Sequence, residues 1–168
     1  ITVSDTTAAA SALNTLNSKT SVDIVVSAVT SITGSAADVK TLYAATADFV
    51  DLGGEAVSLS NTTSVADANI VSAATSGVVT ATITEGDLVS LATLSSDGQI
   101  NAYTITVSDT TAAASALNTL NGKTSEDIVA TAVTSITGSA ADVKTLYAAT
   151  ADFVDLGGEA VSLSGSTS

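Results

Sequence analysis

Short stretches in which Val, Ile or Leu alternates with Thr or Ser recur along this chain, and each is followed by apolar residues at helical spacing. The alternating stretches are Ile1–Ser4, Val29–Thr33, Ala56–Ser60, Val79–Thr84 and Thr104–Ser108. A period of two in β-branched residues describes a strand with one buried face and one hydroxyl-bearing face. After them, Val39, Leu42 and Tyr43, and Leu88, Leu91 and Ala92, fall at i, i+3, i+4, while Ala68, Val71 and Ala74, and Ala10, Leu13 and Leu16, fall at i, i+3, i+6. That spacing lays one apolar stripe along a helix of about three turns.

A hydroxyl residue stands between strand and helix at Thr6, Ser35, Ser64, Thr84, Thr110, Ser139 and Ser168, at intervals of 29, 29, 20, 26, 29 and 29. Ser35-Ala-Ala-Asp38 and Ser64-Val-Ala-Asp67 have the form of a capping box with Asp as the acidic partner, and Thr84-Glu-Gly-Asp87 is a looser version. The repeating unit is therefore strand, cap, helix, loop. Units of this size are too short to fold singly, but stacked they place their strands in one parallel sheet and their helices on the other side.

A longer period contains the short one. Residues 1–60 return as 105–164 with four differences, Ser18 for Gly122, Val22 for Glu126, Val26 for Ala130 and Ser27 for Thr131. The expected fold is an α/β solenoid of about four coils per 104-residue period. It forms one continuous array over 1–168, with a full period at 1–104 and a partial one at 105–168. At about 4.8 Å per strand, a period advances roughly 19 Å. An open α/β domain with a duplicated half is the alternative, disfavoured because crossovers in such sheets vary in length. A leucine-rich repeat lacks its L-x-x-L-x-L-x-x-[NC] line here. The pattern runs through both ends, so the chain reads as a fragment of a longer protein.

Composition narrows the function. With 45% apolar residues the chain can bury a core despite a net charge of −13. That core is built from small aliphatic side chains, with Tyr43, Phe49, Tyr103, Tyr147 and Phe153 as its aromatics. Cys and His are absent, which removes thiolate nucleophiles, Cys-type zinc and iron–sulfur sites, and the residue that is the commonest general base and metal ligand. Four Lys against seventeen carboxylates leave nothing to neutralise phosphates, so a nucleic-acid partner is not expected. No apolar run approaches the roughly 18 residues of a membrane span. Every candidate catalytic group also occurs twice, whereas an active site is normally unique, so no enzyme is expected.

Two surfaces carry candidate chemistry. Asp48, Asp51 and Glu55 flank Gly53-Gly54, and the group recurs as Asp152, Asp155 and Glu159; hard oxygen ligands beside a tight turn are what Ca²⁺ requires. Neither EF-hand spacing nor the G-G-x-G-x-D repeat is present, and solvated acids in a loop before a strand explain the segment equally well. If Val3, Ile32, Leu59 and Ile83 point inward, then Thr2, Ser4, Thr33, Ser58, Ser60, Thr82, Thr84 and Thr106 form hydroxyl rows on an outer face. Such a face suits a glycan, another copy of the chain or ice, although Thr is also simply a good residue for a wet strand face. Asn61-Thr-Thr63 fits a glycosylation acceptor, and its counterpart Gly165-Ser-Thr167 does not.

The segments Val3-Ser-Asp-Thr-Thr7, Ser31-Ile-Thr-Gly-Ser-Ala-Ala-Asp-Val39 and Asp51-Leu-Gly-Gly-Glu-Ala-Val-Ser-Leu59 resemble the tandem repeats of very large secreted or surface proteins of cyanobacteria and other aquatic bacteria. The resemblance spans the whole chain. It implies an extracellular or cell-surface location, a structural or adhesive role in a stalk, filament or surface layer, and copies of itself along the repeat axis as partners. It supplies no catalytic residue.

Overall fold

The computed structural model describes residues 1–95, 98 and 100–165. Along the first copy run β1 (Thr7–Ala9), α1 (Ala10–Asn17), β2 (Ile24–Val25), β3 (Ser31–Gly34), α2 (Ala36–Ala44), β4 (Phe49–Val50) and β5 (Ala56–Thr63). The stretch without a counterpart adds α3 (Val65–Ala74), β6 (Val79–Ile83), α4 (Leu88–Leu91) and β7 (Ala102–Thr104). The second copy supplies β8 (Thr111–Ala113), α5 (Ala114–Asn121), β9 (Ile128–Val129), β10 (Ser135–Gly138), α6 (Ala140–Ala148), β11 (Phe153–Val154) and β12 (Ala160–Leu163). The result is a mixed α/β fold whose strands pair in parallel.

Helical crossovers make that parallel pairing possible. The main sheet has the order β1-β3-β5-β6-β7, and a three-stranded sheet, β8-β10-β12, repeats its beginning. Register partners such as Thr7 with Ser31, Ser31 with Ala56, and Val57 with Val79 lie 20 to 25 residues apart in sequence. Alternation decides which side chains enter the core: along β6, Val79, Ala81 and Ile83 are buried and Thr80 and Thr82 exposed. Helices α1, α2 and α3 pack one on the next and against these strands, closing the core with Leu13, Val39, Leu42 and Val71. Among the described residues no helix is long and apolar enough to cross a membrane.

The expected single sheet is divided. Ser31–Thr33, Val57–Ser60 and Thr80–Thr84 fall on one parallel ladder, but Ile1–Ser4 and Ile105–Ser108 do not. Instead Thr2 bridges to Val25 and Thr106 to Val129, beside the two-stranded pairs β2–β4 and β9–β11. The backbone shows why: Val25 N–H donates to Ile1 O and Val3 N–H to Val25 O, so those edges are occupied before the chain reaches the main sheet at Thr7.

The caps divide in the same way. Ser35, Ser64 and Ser139 each accept the N–H of the Asp three residues on, at 3.1 Å. Thr6 and Thr110 cap nothing: α1 and α5 begin after Ala9 and Ala113, without a side-chain acceptor, and the Thr6 carbonyl instead receives Thr30 N–H. Helix α4 starts late and is capped by Asp87 rather than Thr84, with Ser90 N–H to Asp87 Oδ1 at 2.9 Å. Ser168 lies outside the described residues. The intervals of 29 built on these hydroxyls are therefore replaced by ladder steps of 24 and 25 residues, while the β5–β6 step, 20 to 22 residues, stays close to the expected 20.

Candidate functional site

The acidic loop forms where β4 ends. Asp51 turns the chain at φ 65° and Asp155 does the same at φ 60°, a left-handed conformation that Asp tolerates better than most residues. Two residues on, Gly53 has φ 124°, which opens the turn toward the next strand. Glu55 then points inward and is only 2% exposed. Its carboxylate accepts Gly53 N–H at 2.8 Å and Tyr43 O–H at 3.3 Å, so it clamps its own turn to α2. Burial, and after it the negative charge of Glu55, raises the Tyr43 phenol above its usual range and keeps it protonated as a donor.

The copy repeats the clamp with less cover. Glu159 accepts Gly157 N–H at 2.9 Å and Tyr147 O–H at 3.1 Å, but is partly exposed, and Tyr147 is raised first by burial and then by its bond to Glu159. Asp48 and Asp152 instead accept the side-chain amides of Asn17 and Asn121 at 2.9 Å. Asp51 and Asp155 are exposed. The three predicted carboxylates of each loop are thus not gathered, and among the described residues no group of three or more acids could hold a metal ion.

What the structure brings to Asp48 and Asp152 instead is a polar cleft invisible to motif reading. One of about 100 Å³ is lined by Asn17, Thr20, Asp23 and Asp48; its counterpart of about 170 Å³ by Asn121, Thr124, Glu126, Asp127 and Asp152. The second carries an extra carboxylate because Glu126 replaces Val22. A third cleft, of about 240 Å³, is apolar and lies between α2 and α3, lined by Tyr43, Ala44, Ile70, Val71, Ala74 and Lys40. Beside it Lys40 forms an ion pair with Asp67.

The hydroxyl face is present in part. Thr33, Ser58 and Thr80 stand in register across β3, β5 and β6, and Thr62, Thr82 and Thr104 across β5, β6 and β7. Ile32, Leu59 and Ile83 are buried as expected, and Val3 is half-buried. Thr2, Ser4 and Thr106 lie off the main ladder, Ser60 sits where the β5–β6 register slips, and Thr84 follows the end of β6. Ser58, Thr62, Thr80, Thr82 and Thr104 are exposed, and their hydroxyls bond to no described residue. Helical hydroxyls behave differently: Thr15 and Thr41 donate back to the carbonyls of Ser11 and Ala37.

No family model, curated protein or solved structure matches this chain.

Proposed function

We propose that the chain is a segment of an α/β solenoid that serves as a structural part of an extracellular stalk, filament or surface layer, with copies of the same repeat as its partners along the axis. The observation that carries this reading is the return of one register in two places. Thr7 pairs with Ser31 and Ile32 with Val57, and 104 residues later Thr111 pairs with Ser135 and Ile136 with Val161. A unit that contacts only its sequence neighbours and can be repeated without altering them builds length rather than a single site. The surplus of carboxylates supports the same role, because acidic surfaces repel in solution and are bridged by divalent ions such as Ca²⁺. Catalysis has no part in this reading.

Chains of two, three and four periods, measured by small-angle scattering and negative-stain microscopy, test it. Rods whose length grows in equal steps per period are expected. Globules whose radius grows as the cube root of mass would refute the solenoid.

A second reading, an adhesive module, is favoured by the uncharged face of β5, β6 and β7. In a chain with seventeen carboxylates, Ser58, Thr62, Thr80, Thr82 and Thr104 present unengaged hydroxyls. They suit a neutral, regularly ordered partner, a glycan or ice. Co-sedimentation with insoluble polysaccharides and inhibition of ice recrystallisation, each lost in Thr82→Lys, would support it; no binding in either assay would dismiss it.

A further inference from the structure

We propose that the face made by β12 and α6 is a docking surface for a strand–helix segment of the kind formed by residues 61–104, carried by a further copy of the repeat. This deepens the solenoid reading and rests on it.

The chain contains its own control. All four differences between the copies lie before residue 31 or its counterpart, so residues 31–60 and 135–164 are identical. In the first copy this surface is covered by α3 and β6, and Val57 and Leu59 are 1% and 8% exposed. In the second copy nothing described covers it, and Val161 and Leu163 are 46% and 45% exposed. The same side chains in the same backbone are thus a closed interface in one place and an open one in the other.

The covering segment also satisfies the polar groups of this surface. Ala56 N–H bonds back to Thr30 O at 3.0 Å, and Val57 N–H reaches forward to Val78 O at 2.9 Å. Ala160 N–H likewise bonds back to Thr134 O at 3.0 Å, so by the alternation of a parallel ladder Val161 N–H points to the free edge. Thr75 Oγ1 donates to Glu55 O at 2.6 Å, and Lys40 pairs with Asp67, whereas Lys144 forms no ion pair with a described residue. A Cβ on Gly77 would come within 2.2 Å of Glu55 O, so the docked segment needs glycine where it crosses this surface. The occupant is thereby specified: a parallel strand, an acid facing Lys144, and a glycine at the crossing.

The far side of the 61–104 segment fits the opposite end of a copy. Leu88 N–H bonds Asp109 Oδ2 at 2.7 Å and Ser108 N–H bonds Gly86 O at 2.8 Å, and there Ile105 is fully buried while its counterpart Ile1 is 51% exposed. One inserted segment can therefore join two copies face to face.

The test is the chain extended by a second 61–164 placed directly after Ser164, compared with the 168-residue chain by hydrogen exchange and scattering. The Val161 amide is expected to slow by at least about tenfold, to the rate of Val57, with fast exchange passing to the new outermost strand. A Val161 amide that exchanges equally fast in both chains overturns the proposal, whether the added residues fold apart or stay unfolded. An unprotected Val161 in a particle that still lengthens as a rod defeats this docking surface alone; protection in a particle that does not lengthen defeats the solenoid reading instead.

Discussion

Replacing Val57 by Ala should cost several times what the same change costs at Val161, although the two residues sit in identical sequence. The side chain loses two carbons, worth about 0.8 kcal/mol each in transfer from water. At Val57, 1% exposed and enclosed by β6, the lost contacts leave a cavity that adds to this, giving about 2–3 kcal/mol. Val161 is 46% exposed and encloses no cavity, so about half the transfer value is lost and the cost stays below about 0.8 kcal/mol. For a chain of this size 1 kcal/mol moves the melting temperature by about 2–4 °C, which separates the variants by roughly 4–8 °C. Leu42 and Leu146, both fully buried, are the internal standard: their Ala variants should each lose about 2–5 kcal/mol and agree with one another. Calorimetry and circular dichroism on the four variants would decide. Equal shifts at Val57 and Val161, with Leu42 and Leu146 behaving as expected, would mean that the β6 layer does not cover β5 in solution, and the argument from burial would fall.

Ser64→Ala should cost about 1 kcal/mol in urea unfolding by removing the acceptor of Asp67 N–H, whereas Thr6→Ala should cost almost nothing; a larger effect at Thr6 would restore it as a cap. Glu55→Ala strands Gly53 N–H and Tyr43 O–H and should lose about 1–3 kcal/mol, more than Glu159→Ala at its more exposed position. Because the loop acids are not gathered, Ca²⁺ and Mg²⁺ should raise the melting temperature equally, and Asp51→Asn with Asp155→Asn should not change this; a Ca²⁺-specific shift lost in that double variant would establish the predicted site. The Tyr43 phenol is raised in the fold, so the folded state holds its proton more tightly than the unfolded chain. Its contribution is complete below the ordinary phenol range near 10 and is lost as pH rises beyond it; Tyr43→Phe should flatten the alkaline limb of a stability–pH curve, and an unchanged limb would refute the assignment.

Local pattern alone determined the parts of this protein whose signals complete themselves within a few residues. The alternation of Val79-Thr-Ala-Thr-Ile83 placed its hydroxyls outward, and the boxes at Ser35 and Ser64 placed their helix starts, because period-two geometry and capping bonds span no more than a turn. The 104-residue return was likewise legible without coordinates. Tertiary structure decided what depends on the neighbouring layer. Ile24–Val25 is two residues long and has no period to read; it is a strand because Phe49–Val50 and Thr2 lie beside it. Thr6 looked like a cap, but its carbonyl was claimed by Thr30, twenty-four residues away. Glu55 in a glycine-rich loop reads as a solvated acid, and it is buried because Tyr43 and Gly53 offer donors on its inner side while the next layer crosses above it. Val57 and Val161 are the plainest case, since their sequences are the same: burial is a property of what packs on a residue, and no stretch of chain carries that information about itself.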